Sequence, residues 1–179
     1  MRTATRAVAF LLAVGLPMAA LGDIIAVQIP TIPGDAKFAA NNGLPADAIR
    51  VLSVANGVET TVCDIGGSGG CVSRATFSNI SILKKFGESS PSLFLAVATG
   101  RHFQNATVSF YRMKGGTPIK YFTITLDDVI IASQKWVGAA NSADSADSES
   151  VELSYARIIM LDNDTGARAC FDRRLNTQC

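Results

Sequence analysis

The chain has 179 residues, 48% of them apolar, and a formal net charge of +1. That is enough for one domain with a real core, or at most two small ones. With no basic block and a charge near zero, the composition argues against nucleic acid or an anionic membrane surface as a partner.

The first 22 residues read as a secretory signal peptide. Arg2 and Arg6 form a small basic region, Ala7 to Leu16 is an apolar run, and Ala20-Leu21-Gly22 places small residues before a cut at Asp23. Cleavage there removes two arginines and no acid, leaving a net charge of −1. A start at Met18 would instead give a product with no signal, cytoplasmic before secretion. The apolar run is too short to span a bilayer, and no later run is long enough. The expected organisation is a signal peptide over 1–22 and a single domain over 23–179.

In chain order, DIIAVQI from Asp23 predicts a first strand, ended by Pro30 and Pro33-Gly34. Residues 35–48 read as a loop and IRVLSV (Ile49–Val54) as a second strand. The polar excursion from Asn56 to Ser73 contains IGGSGG, which has no side chains to bury. It reads as a protruding hairpin or loop. A phosphate cradle is the alternative, but no GK[ST] follows and no dinucleotide spacing is present. FSNISIL (Phe77–Leu83) predicts a strand with Ile80 and Ile82 on one face. The stretch SSPSLFLAVATG (89–100) predicts a short helix. Ser90 suits the N-cap, Pro91 the first helical position and Gly100 the left-handed residue after the last turn. Leu93, Ala96 and Val97 share one side, with Phe94 flanking.

Further strands are predicted over Ala106–Met113, Ile119–Leu126, Asp128–Val137 and Val151–Leu161, with a last short one over Ala169–Arg174. Lys114-Gly115-Gly116 marks a hairpin turn, and GAANSADSADS (138–148) a low-complexity loop. Roughly eight strands and one helix predict a mainly β protein, a barrel or a sandwich.

Catalytic chemistry finds little support. His102 is the single histidine, and no GxSxG setting accompanies any serine, so it reads as a polar residue after the helix stop. Asp162-Asn163-Asp164-Thr165-Gly166 opens like a calcium loop, but the twelfth position is Arg173 rather than Glu, so a turn is expected. Asp127 and Asp128 are adjacent, point to opposite faces of a strand, and read as a bend. Trp136 reads as core or interface. No catalytic residue, metal site or cofactor is therefore expected.

The four cysteines, Cys63, Cys71, Cys170 and Cys179, form an even set, which in an exported chain favours disulfides. Three pairings exist. Short loops favour Cys63–Cys71 and Cys170–Cys179, each contributing about 2–3 kcal/mol. Their spacing, beside a single histidine, does not suit zinc.

Several segments together resemble the Hcp family, the haemolysin-coregulated tube proteins of bacterial type VI secretion. They are IPTIPGD from Ile29, IRVLS from Ile49, FSNI from Phe77, Lys84-Lys85, SSPSLFLAVATGRHF from Ser89, KYFTITLDDVII from Lys120 and VELSYARI from Val151. The resemblance implies two sheets closing as a small β-barrel with one flanking helix at about 90–99. It also implies head-to-tail homo-hexameric rings able to stack into a tube, with effector proteins as cargo of the pore. The role implied is structural or carrier, not catalytic. A head-to-tail ring joins two unlike patches. Ser92 and Phe94 on the helix are the candidates for one contact. Gly66, Gly67, Ser68, Gly69 and Gly70, in the excursion where the family has an extended stacking loop, are the candidates for another. The signal peptide and cysteines depart from the family's reduced cytoplasmic tube subunit. They imply a secreted or periplasmic protein, and leave an exported binding module that uses the fold without tube assembly as the alternative.

Overall fold

The computed structural model describes residues 23–34, 44–61, 74–138 and 147–179. Residues 1–22, expected to be a signal peptide, and Gly66–Gly70, Cys63 and Cys71 lie outside the described residues. The expectations for them are neither met nor contradicted.

The strands are β1 (Ile24–Gln28), β2 (Ile49–Val51), β3 (Ser53–Ala55), β4 (Val58–Glu59), β5 (Thr76–Phe77) and β6 (Ile80–Lys85). The helix α1 (Ser89–Thr99) follows, then β7 (His102–Lys114), β8 (Thr117–Val137), β9 (Ser148–Ser154), β10 (Arg157–Asp162), β11 (Arg168–Asp172) and β12 (Thr177–Gln178). Ten strands form one antiparallel sheet, and β4–β5 form a small second one. The mainly β expectation with one short helix holds.

The long strand β8 organises the sheet. It pairs with β7 along one side, a hairpin closed at Gly115 (φ 58) and Gly116 (φ 83). Both turn residues are left-handed, which suits a two-residue turn matched to strand twist. On its other side β8 pairs first with β10, through Phe122–Asp127, and then with β9, through Ile130–Val137. Between these stretches Asp128 takes a left-handed conformation (φ 53), tolerated by aspartate better than by most side chains. The bend expected at Asp127-Asp128 is therefore real, but it kinks one continuous strand rather than separating two. The same kink explains a second correction. Val151–Leu161 is not one strand: it breaks at Tyr155-Ala156, opposite the kink, where the Ala156 N–H bonds the Asp127 carbonyl at 3.0 Å. Extra residues on β8 at Tyr121 and Ala132 shift its register and curve it further.

Beside the arm β10–β11–β12, two further arms leave β8. One runs β9–β6–β3; the other runs β7–β1–β2. They meet at Leu52, the single residue between β2 and β3, whose N–H bonds the Leu83 carbonyl at 2.7 Å. The expected closed barrel thus needs correcting. No single ladder closes; a branched, strongly bent sheet folds over its own core. That core takes alternate residues of each strand, among them Val27, Ile49, Val51, Ile80, Ile82, Val108, Leu126, Val151 and Leu153. Fully burying each such side chain contributes about 1.5–3 kcal/mol.

Candidate functional site

The helix α1 lies against β8 and buries Ser89, Leu93 and Ala96. Val97 is half-buried, so the predicted apolar side does face the sheet. Gly100 sits at φ 60; its N–H bonds the Val97 carbonyl at 3.2 Å and the Arg101 N–H bonds the Ala96 carbonyl at 2.9 Å. That is the paired bonding of a Schellman stop, and it fits the expectation for Gly100.

The other end differs from the sequence reading. Glu88 precedes the helix in helical geometry and makes no side-chain cap. Ser90 is inside the helix rather than at its cap, and Pro91 occupies the third helical position rather than the first. Pro91 is tolerated because first-turn N–H groups have no partner within the helix. Ser90 is drawn inward by a buried ion pair. Lys84 and Glu149 are essentially inaccessible, with Nζ and Oε1 2.5 Å apart. Ser90 Oγ donates to Glu149 Oε1 at 2.7 Å and accepts the Gly87 N–H at 3.0 Å. Lys84 Nζ also donates to the Lys85 carbonyl at 2.7 Å and to Ser90 Oγ at 3.1 Å. Gln134 Nε2 donates to Glu149 Oε2 at 2.5 Å. Burial alone would push the Glu149 carboxyl up. The hydrogen bonds from Lys84, Ser90 and Gln134, with the Lys84 charge, outweigh it and hold Glu149 below the ordinary carboxylate range. Four elements, β6, α1, β8 and β9, thus meet at one polar pin under the first turn of the helix.

Above that pin α1 presents apolar surface to solvent. Phe94 is 55% exposed, Leu95 60% and Trp136, near the end of β8, 63%. Phe94, Val97, Ala98, Gln134, Lys135 and Trp136 line an open cleft of about 490 Å³. Ser92, two residues before Phe94, is half-buried, while Phe94 is exposed. A second cleft, of about 400 Å³, is lined by Arg50, Leu52, Lys85 and Phe86. Lys84 and Lys85 point to opposite faces of β6, Lys84 inward toward α1 and Lys85 outward. The two clefts share no lining residue and differ in chemistry: one is aromatic with a single cation, Lys135, the other apolar with two, Arg50 and Lys85.

The remaining candidates are occupied by structural contacts. His102 Nε2 is 3.7 Å from Asp128 Oδ1, and Arg174 Nη1 is 2.7 Å from Asp128 Oδ2. Arg157 pairs with Asp127 at 2.6 Å. Asp162 Oδ1 accepts the N–H groups of Asp164 and Thr165, at 2.9 and 3.1 Å. Those backbone bonds, from Thr165 first and then Asp164, lower its pKa. Asp164 in turn pairs with Arg112 at 2.7 Å, so the segment is the turn that was expected. Among the described residues, no group of three or more His, Cys, Asp or Glu side chains could hold a metal. No described helix is long and apolar enough to cross a membrane. Cys170 and Cys179 form a disulfide.

The family model described as "Type VI secretion system effector, Hcp" matches residues 27–161, about three-quarters of the chain. This chain belongs to the Hcp family. Hcp proteins are structural, secreted components of type VI secretion, and this chain is one of these tube or effector-like proteins. Its matched segment begins in β1 and ends in β10, so the N-terminal 22 residues and the disulfide-bonded C-terminus fall outside it. The curated Hcp relative "Protein hcp1" of Pseudomonas aeruginosa is 26% identical over 125 residues, covering 70% of this chain and 76% of that protein. The solved Hcp1 of Salmonella typhimurium has a TM-score of 0.71 at 23% identity, covering 88% of this chain and 99% of its own. A structure described as a type six secretion system protein has a TM-score of 0.76 at 15% identity, covering 88% and 100%. These structural likenesses show a shared Hcp fold.

Proposed function

We propose that this Hcp protein builds homo-hexameric, head-to-tail rings that act as a structural or carrier component of type VI secretion, with effector proteins as pore cargo. The observation that carries the reading is the pair of unlike clefts, one on α1 and β8 and the other beside β2 and the end of β6, which share no lining residue. One is the aromatic face formed by Phe94 and Trp136; the other is the cationic-apolar face formed by Leu52 and Phe86 with Arg50 and Lys85. A head-to-tail contact needs two different patches on each copy, and a self-matching dimer needs only one. Gly66 to Gly70 are the proposed stacking contact between rings. Export by the N-terminal 22 residues, with cleavage before Asp23, fits a disulfide at Cys170–Cys179, because such bonds persist in oxidising compartments.

Replacing Phe94 or Ser92 with Arg tests the ring. Phe94 is exposed, so Phe94→Arg leaves the fold intact while placing a charge in the contact. Size-exclusion chromatography with mass detection then gives rings for the wild type and monomers for the variants. Rings that survive both substitutions overturn the assignment of this face. A wild type that is monomeric at every concentration supports instead an exported binding module built on the Hcp fold.

A further inference from the structure

The C-terminal segment lies beyond the family match, yet it packs against the root of the β4–β5 extension. Cys170 on β11 and Cys179 after β12 close a nine-residue separation. β12 pairs with β11 through Phe171↔Gln178 and Asp172↔Thr177. The Asp172 carboxylate accepts the N–H groups of Arg174 and Leu175, fixing the turn between them. From that turn Arg173 reaches the extension. Its Nη1 donates to the Tyr155 carbonyl at 2.7 Å and its Nη2 to the Phe77 carbonyl of β5 at 3.2 Å. Its guanidinium lies 4.5 Å from the Tyr155 ring centroid and 5.8 Å from that of Phe77. Phe77 also stacks on Phe171 of β11, with centroids 5.1 Å apart. From the extension's side, Arg74 Nε donates to Asn176 Oδ1 at 3.0 Å, and Arg74 Nη2 donates to the Arg173 carbonyl. The loop closed by the disulfide is therefore the platform on which the extension stands.

We propose that the Cys170–Cys179 disulfide is a redox latch on the base of this extension. While it is closed, β12 is tied to β11 and the Arg173 turn is held against Phe77. When it opens, the extension loses its platform and moves relative to the sheet. Cys179 is exposed and Cys170 half-buried, so Cys179 is the residue a reductant reaches first. A thiolate of a dithiol reductant attacks Cys179 Sγ and expels the Cys170 thiolate. The reductant's second thiol then displaces Cys179 from the mixed disulfide. Two electrons and two protons end on the two cysteines, and the reductant leaves as its own disulfide. After opening, β12 keeps only two paired positions on β11, too few to hold the turn. The buried cluster draws on β1, β2, β6, α1, β7, β8, β9 and β10, and of the latch only Phe171 packs against its edge.

Hydrogen exchange on the mature full chain tests this in a Cys63→Ser/Cys71→Ser background, which leaves one disulfide to open. Dithiothreitol is added to the folded protein, and peptides covering 56–61 and 74–79 are compared with peptides covering 80–85 and 102–114. Opening the latch should speed exchange at the base of the extension by about 10- to 100-fold, while the core peptides stay unchanged. The additional Cys170→Ser/Cys179→Ser change should reproduce this without reductant. Base peptides that keep their protection after reduction overturn the latch. So does a loss of protection that spreads equally through the core, because the disulfide would then be a general staple. If the quadruple variant fails to fold, the reduction of already folded protein decides between the same outcomes.

Discussion

Replacing Glu149 with Gln keeps the size and shape of the side chain and leaves the Lys84 ammonium, 1% exposed at its side chain, facing a neutral amide. Removing one partner of a buried pair costs about 3–5 kcal/mol, because the surviving charge is left without compensation. An amide still accepts one hydrogen bond, so the lower figure, about 3 kcal/mol, applies here. For a domain of this size that is a fall in Tm of roughly 6–12 °C. Urea unfolding at pH 7 should show the midpoint falling with an unchanged slope. The pH dependence has a definite sign. Glu149 is held below its unfolded-chain value, about 4.3. Its stabilisation is complete above that value and is lost as the pH falls through the lower folded one. The wild type should therefore lose stability below about pH 4.3, and Glu149→Gln should flatten that limb. The double change Lys84→Met/Glu149→Leu should cost less than the single one, since two apolar residues leave no orphaned charge. A single-variant loss under about 1 kcal/mol, or a double variant worse than the single, refutes the pin.

Leu93→Ala removes the fully buried anchor of α1 and should cost about 2–5 kcal/mol in urea unfolding. Gly100→Ala puts a Cβ on a left-handed residue with open space around it, so only backbone strain is added. About 1 kcal/mol should be lost by thermal melting, with the ring unaffected. Trp136→Ser should change stability by less than about 0.5 kcal/mol, because the side chain is 63% exposed, while weakening ring formation as seen by sedimentation velocity.

Much of the fold was legible because its signals are local. The period-2 alternation in Ile80–Ile82 and Val151–Leu153, the Gly115-Gly116 turn and the Gly100 stop are each decided within a few residues. The cap was not. Ser90 has the right chemistry for an N-cap, but its hydroxyl is claimed by a pair whose members are 65 positions apart. A signal for that pair does exist. Lys84 continues the inward register of Ile80 and Ile82, and Glu149 that of Val151 and Leu153. A charge in an apolar register needs a partner, but the sequence does not say that β6 lies beside β9. Similarly, Asp127-Asp128 announced a bend, yet only the pairing of β8 with both β9 and β10 makes it a kink in one strand. Of the candidate site, the residues on α1 could be named from the sequence. Trp136 and the Leu52–Phe86 face join it only through long-range sheet pairing.

Assembly is the central claim, and native mass spectrometry of the mature, non-reduced protein addresses it directly. A species six times the protomer mass, which Phe94→Arg converts to a single protomer, is the result predicted. A protomer-only spectrum from the wild type at concentrations where the fold is intact would contradict it.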